Sequence, residues 1–183
     1  DAGLLLQVAR ALGVQAHPAL RKARAQIRGN IRKDGLVDTW VGTRSLPSRE
    51  IAARWVSEPC PAVSANAWLG LGERPQGRVG WAFGPSTFYS SITSLALIAR
   101  WARFCGDQPL AARALTRLRA QQTPGGSFGP TLETALAVRA LAAAPKPFAL
   151  DAAVVCLLDA QADDGGFPSD PFFMGVGRKG IQW

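Results

Sequence analysis

Residues 121–167 decide the fold prediction, because one motif occurs twice within them. The stretch opens with Gln121-Gln122-Thr-Pro-Gly-Gly-Ser-Phe128 and closes with Gln161-Ala-Asp-Asp-Gly-Gly-Phe167. In both copies a helical pattern ends in glutamine, a pair of glycines and an aromatic residue. An apolar segment with helical spacing, residues 130–141, lies between them. Self-similarity of this kind predicts an array of one repeated unit.

The rest of the chain is also predicted to be mainly helical. Apolar residues at helical spacing, with glycine or proline at the boundaries, predict helices at 4–12, 18–33, 62–71, 87–104, 107–121, 130–144 and 149–162. A short helical piece is also expected at 48–56, within a long connection. Ser86 or Thr87 is the predicted cap of the helix to Phe104, and Asp107 is the predicted cap of the next. No useful strand alternation occurs, so the chain is predicted to be all-α.

Alignment of the copies defines the unit. Placing Gln121 over Gln161 aligns the two turns, and placing Thr93 over Thr134 aligns the apolar helices, of which Ser64-Ala-Asn-Ala-Trp is a weaker copy. Asp34-Gly35 marks a degenerate helix end. The unit is therefore an apolar helix with Ser or Thr near its start, then an amphipathic helix bearing arginines, then the turn. Two helix classes predict two layers, with the apolar class inside.

Each residue of the turn has a structural explanation. Glycine permits the positive φ needed at a helix end, and a glutamine amide can bond the backbone groups that the helix leaves unpaired. The aromatic residue is expected to pack on the next repeat. We therefore interpret Gln161, Asp164, Gly166 and Phe167 as a clasp between repeats rather than as catalytic residues.

Charge and cysteine content restrict the partners. The chain has 21 Lys and Arg against 13 Asp and Glu, a net charge of +8, which favours a diphosphate, a membrane surface or nucleic acid. No nucleic-acid recognition motif supports the last of these. The arginine stripe on the second helix fits an anion-binding face or, more simply, a solvated outer face; it comprises Arg21, Arg24, Arg28 and Arg32.

The compartment and the metal content follow from a few residues. Three widely spaced cysteines in apolar surroundings indicate reduced thiols, and hence the cytoplasm. No apolar run reaches the ~20 residues that a membrane span needs. A peripheral contact with a membrane surface is the alternative location. The single histidine, His17, leaves no His/Cys set for a metal.

The motif Gln161-Ala-Asp-Asp-Gly-Gly-Phe167, with Gln122-Thr-Pro-Gly-Gly-Ser-Phe128 and the Thr-Ala-Leu-Ala helices, resembles the repeat of terpenoid cyclases and protein prenyltransferase β subunits. The resemblance covers roughly residues 18–170. It implies an (α/α) toroid whose inner helices surround an apolar cavity that holds an isoprenoid. About seven helices are too few for a closed ring. Residues 1–183 are therefore expected to be a single, incomplete toroid domain, completed by a second copy or by more of the same chain.

The sequence carries only some of the residue types that this family uses for catalysis. Class II cyclases protonate an alkene with an Asp-rich motif at the start of an inner helix, and residues 61–64, 90–93 and 131–134 lack its aspartates. Glu133 is the one acid near such a position and is the catalytic candidate; alternatively it stabilises its own helix N-terminus. The prenyltransferase zinc ligands are absent, so no cofactor is expected beyond Mg²⁺ for a diphosphate substrate.

The substrate-binding candidates are aromatic and basic. Aromatic faces stabilise carbocations, and arginines hold diphosphates; the candidates are Trp68, Trp81, Phe83, Phe88, Tyr89, Trp101, Arg74 and Arg78. The alternative is that the aromatic residues belong to the core. The resemblance thus implies an isoprenoid-binding, terpene cyclase-like domain that acts on a polyprenyl chain or its diphosphate by carbocation cyclisation. The alternative function is a non-catalytic lipid-binding or scaffold domain of the same fold.

Overall fold

The computed structural model describes residues 2–38, 59–75, 82–84, 86, 89–146, 148–169, 175–177 and 180–182. Within these ranges the chain forms seven α-helices, which confirms the prediction of a helical protein; the toroid arrangement remains a prediction. The helices are α1 Ala2–Ala11, α2 Leu20–Gly29, α3 Pro61–Leu71, α4 Ser91–Cys105, α5 Gln108–Arg119, α6 Thr131–Ala142 and α7 Asp151–Ala160. A short antiparallel hairpin, β1 Gly175–Gly177 with β2 Gly180–Gln182, was not predicted.

The chain forms two compact units, Asp1–Thr87 and Phe88–Trp183. In the first unit α1 packs against α3, its neighbour but one, and α2 packs mainly on α1. The α1–α3 approach is close because Gly3 and Gly70 lie against each other: a Cβ on Gly70 would be 2.5 Å from the Gly3 carbonyl oxygen. Glycine is therefore required by contact between the two helices, not by the backbone angles of either.

The second unit shows the same alternation. Helix α4 packs against α5 and α6, and α6 packs against α5 and α7. The core between them holds Trp101, Leu118, Phe128 and Leu141, all fully buried. Contacts between α1 and α3, and between α4 and α6, join helices that are two apart in sequence. Stacked helix pairs pack in this way. We call α3, α4 and α6 the inner helices after the predicted apolar class; their arrangement as an inner layer remains a prediction.

Local capping chemistry fixes several helix ends. Asp107 Oδ1 accepts the Leu110 N–H at 3.0 Å, which confirms the predicted cap of α5. The predicted cap of α4 was wrong: α4 begins three to four residues later than expected, and Ser90 Oγ accepts the Thr93 N–H at 3.1 Å. Ser86 instead lies 2.9 Å from Cys60 Sγ. The short helix expected at 48–56 lies outside the described residues.

The buried side of α7 also differs from the expectation. The apolar pattern predicts a buried side made of Val154, Val155, Leu157 and Leu158. Leu157 is half-buried, but Val154, Val155 and Leu158 are 41%, 52% and 63% exposed. Ala153 is the buried residue of this helix. The apolar pattern of α7 is nearly continuous, so its period could not show which side would meet α6.

Candidate functional site

One turn geometry recurs after α2, α5 and α7, at residues 31–37, 122–128 and 161–167; we call each a repeat turn and number its positions one to seven. In all three, the N–H of position two donates to the carbonyl of position six, at 2.8, 2.8 and 2.9 Å. The N–H of position five donates back to the carbonyl of position two, at 3.0, 2.9 and 2.8 Å. Position five is a glycine with φ of +82°, +96° and +84°, namely Gly35, Gly126 and Gly165. Glycine is favoured there because side chains disfavour this conformation.

These bonds correct the alignment of the glutamines. Gln122 Nε2 donates to the Gly126 carbonyl at 2.6 Å, as Gln161 Nε2 does to the Gly165 carbonyl at 3.0 Å. Gln122, and not Gln121, is thus the equivalent of Gln161, and the two turns align without a gap. Gln121 has another partner, the Ser91 hydroxyl, which donates to its Oε1. The glutamine amide thus bonds backbone, as predicted, but its acceptor is the glycine carbonyl of the turn and not a carbonyl of the helix end.

A hydroxyl on the following inner helix closes the first two repeat turns. Ser64, the fourth residue of α3, accepts the Val37 N–H at 2.9 Å, and Thr134, the fourth residue of α6, accepts the Phe128 N–H at 3.0 Å. Each hydroxyl also donates to a backbone carbonyl near its own helix start. Val37 and Phe128 occupy position seven of their turns. The Ser or Thr of the repeat therefore has a structural task, which the sequence pattern alone did not reveal.

Two of the aromatic candidates belong to the core. Trp68 is 5% exposed, and its indole N–H donates to the Gly35 carbonyl at 2.9 Å, so it binds the first repeat turn. Trp101 is 1% exposed within α4. Phe83 and Tyr89 are half-buried. The alternative interpretation, that such residues pack the interior, is thus supported for both tryptophans.

The remaining candidates are less informative. Trp81, Phe88 and Arg78 lie outside the described residues, and Arg74 is exposed in the first unit. A cleft of about 580 Å³ lies between the second repeat turn and the start of α7, and none of the predicted site residues lines it. Among the residues that the structure describes, no three His, Cys, Asp or Glu side chains are grouped so as to hold a metal ion. In the same ranges no helix is both long and apolar enough to cross a membrane.

The arginine stripe of α2 is largely engaged by neighbours. Glu73 accepts a hydrogen bond from Arg28, and this bond, with the opposite charge, raises the pKa of that guanidinium. Arg32 lies 3.8 Å from Asp34 and 4.0 Å from Asp38, and Arg24 donates to a backbone carbonyl. Pairs this exposed add little stability. They do reduce the free positive charge on the helix, which supports the interpretation of a solvated outer face.

Glu133 lies at the N-terminal end of an inner helix, where the sequence placed it. The residue is half-buried, and its Oε2 is 2.9 Å from the point that a Cβ on Gly129 would occupy. Ile92 Cδ1 of α4 is 3.8 Å from the same point. Neither a hydrogen bond nor an ion pair to Glu133 comes from any described residue. Leu132 and Leu136, spaced i and i+4, share one face of α6, and Glu133 follows Leu132 in the sequence.

A pair of arginines lies further along the same two helices. Burial lowers the pKa of Arg100 on α4, and the positive charge of Arg139 on α6 lowers it further. Arg139 shares a face with Leu132 and Leu136, since they are spaced i, i+4 and i+7. We call Ile92, Leu132, Glu133, Leu136, Arg100 and Arg139 the α4–α6 surface. It has an acid at one end and positive charge at the other.

Comparison with models of known protein families gives no match for this chain. No curated protein and no solved structure matches it either. The resemblance to terpenoid cyclases therefore rests on the quoted motifs alone.

Proposed function

We propose that the α4–α6 surface binds an isoprenoid diphosphate. The observation that carries this proposal is the order of groups along α6: the Glu133 carboxyl, then aliphatic side chains, then Arg139 with Arg100 beside it. From Leu132 to Arg139 the helix rises about 10 Å, at 1.5 Å per residue. The aliphatic stretch suits a polyprenyl chain, and the arginines suit its diphosphate, for which Mg²⁺ is the usual counterion.

Glu133 is the residue proposed to carry chemistry on a bound chain. A carboxylic acid there would transfer its proton to the alkene farthest from the diphosphate, leaving a carbocation that the next alkene attacks to close a ring. Loss of a proton would end the reaction. Its position at the start of α6, with no hydrogen bond or ion pair from any described residue, supports this role.

Non-catalytic binding of the same ligand is the second candidate, and a specific observation favours it. Aromatic faces that would stabilise a carbocation must be open to the ligand, whereas Trp68 and Trp101 are buried and Trp68 is bonded to a repeat turn. Of the aromatic candidates in the described ranges, Phe83 and Tyr89 are half-buried. A lipid carrier needs none of these faces.

Binding and turnover separate the two candidates. Farnesyl and geranylgeranyl diphosphates, with geranylgeraniol as the uncharged probe, would be titrated calorimetrically with and without Mg²⁺. Arg139→Gln should weaken binding of the diphosphates about tenfold and leave geranylgeraniol unchanged. Arg113→Gln is the matched control, because it removes the same charge from the outer helix α5. Equal losses in both variants would show that net charge alone attracts the ligand.

Product analysis by gas chromatography then tests Glu133. Cyclic product from the wild-type protein, lost in Glu133→Gln with diphosphate binding retained, supports cyclisation. Saturable binding with no product from either protein supports the carrier function. If no probe binds at all, both candidates are wrong.

A further inference from the structure

The third repeat turn is fully formed but uncovered. Residues 161–167 make both backbone bonds and the glutamine bond of the second turn. Yet Phe167 at position seven is 53% exposed, whereas its equivalent Phe128 is completely buried. The difference is the inner helix, because α6 covers Phe128 and accepts its N–H. No described residue accepts the N–H of Phe167.

The exposed side of α7 continues the interface that α5 makes with α6. In the register set by the turns, Val154 is equivalent to Leu115 and Leu157 to Leu118. The two leucines of α5 are buried between α4 and α6. On α7, Val154 is exposed and Leu157 is half-buried. The same apolar positions are therefore available one repeat further along, where no described helix fills them.

Charge indicates which end of a helix would meet this turn. Asp163 and Asp164 are exposed at positions three and four, and Asp164 Oδ1 accepts the Gly166 N–H at 2.8 Å. The first repeat turn carries Asp34 at position four with the equivalent bond to Leu36, at 3.1 Å, and it is covered by α3. Two carboxylates favour the positive end of a helix dipole, which is its N-terminus.

We propose that the third repeat turn and the exposed side of α7 bind an apolar helix of the same class as α3 and α6. Its N-terminus would lie towards Asp163 and Asp164, and a Ser or Thr hydroxyl at its fourth residue would accept the Phe167 N–H. The interface would repeat, bond for bond, the one between the second repeat turn and α6. This proposal is independent of the α4–α6 surface and of Glu133's chemistry.

A peptide in trans tests the proposal with the full chain. A fluorescein-labelled peptide of residues 129–144 reproduces α6 with Gly129 and Pro130 before it. Its fluorescence anisotropy should rise saturably on titration with the protein. A peptide with Thr134→Val should bind about fivefold more weakly, because the Phe167 N–H would be buried without an acceptor. In a ¹⁵N-labelled protein, the Phe167 amide resonance should shift with the first peptide.

Variants of the protein locate the site. Phe167→Ala should abolish peptide binding without affecting folding, since Phe167 packs on little in the free chain. Leu5→Ala, which removes a comparably exposed apolar side chain (51%) from α1, should leave binding unchanged. Equal losses in the two variants, or equal affinities of the two peptides, would overturn the proposal. Self-association that Phe167→Ala removes, measured by sedimentation in the absence of peptide, would assign the site to a second copy of the chain instead.

Discussion

Replacing Thr134 by Val should destabilise the second unit through one buried hydrogen bond. The Thr134 side chain is 1% exposed, and its hydroxyl accepts the Phe128 N–H at 3.0 Å and donates to the Gly129 carbonyl at 3.3 Å. Valine has nearly the same shape, so the packing is kept while both bonds are lost. The Phe128 N–H is then buried without an acceptor, which costs about 1–3 kcal/mol in the free energy of unfolding.

Urea unfolding followed by far-ultraviolet circular dichroism measures this change. Thr116→Val is the matched control, because Thr116 is exposed on α5 and makes no side-chain bond in the described structure; it should stay within about 0.5 kcal/mol of the wild type. A lower urea midpoint for Thr134→Val, at an unchanged slope, is the expected result. If both variants keep nearly the wild-type free energy of unfolding, the hydroxyl does not stabilise the turn, and the repeat unit as described is wrong.

Three further substitutions test other contacts by the same assay. Gly126→Ala should cost at least about 2 kcal/mol, because φ is +96° and the new Cβ would lie 2.5 Å from a side chain of α7. Gly125→Ala would meet only Thr123 Oγ1, at 3.9 Å, and should be tolerated; similar values for the two variants would contradict the turn geometry. Gly3→Ala should lower stability by separating α1 from α3, since its Cβ would lie 2.7 Å from an α3 carbonyl; Gly29→Ala meets nothing within 4 Å and should be neutral or stabilising. Trp68→Phe should cost about 1–3 kcal/mol by leaving the first repeat turn's carbonyl without its donor, and an unchanged midpoint would argue that this bond is not formed in solution.

Features fixed by neighbouring residues were predictable from the sequence. The apolar and amphipathic helix classes follow from side-chain periodicity, and the Asp107 cap and the Gly72 and Gly106 helix ends follow from residue types that suit those positions. The repeat itself was visible because its turn needs glycine at one position and an amide at another. Such requirements act within a few residues and therefore leave a local signature.

Contacts between distant segments left no such signature. The bond from Val37 to Ser64 joins residues 27 apart, and nothing in the pattern of either segment specifies the other. The approach of Gly3 to Gly70 is equally invisible, since each glycine sits in an apolar helix. The buried side of α7 depends on which helices surround it. Val155 and Leu158 are exposed although they are as apolar as core residues.

The candidate site was predicted in part for the same reason. The position of Glu133 near an inner-helix start followed from the repeat alignment. The effect of the Arg139 charge on Arg100 depends on the packing of α4 against α6. Nothing in the sequence relates two arginines that are 39 residues apart. The burial of Trp68 and Trp101 likewise reflects packing, because the sequence shows only that they lie in apolar helices.

Amide hydrogen exchange at position seven of the three repeat turns is the most direct test of the repeat unit. Val37 and Phe128 donate to a buried hydroxyl, and Phe167 has no acceptor in the described structure. Exchange of the first two should require opening of the inner helix and so be strongly protected, whereas the Phe167 amide should exchange almost freely in the chain alone. Equal protection of Phe128 and Phe167, whether both fast or both slow, would contradict a repeat closed by the hydroxyl of the next helix.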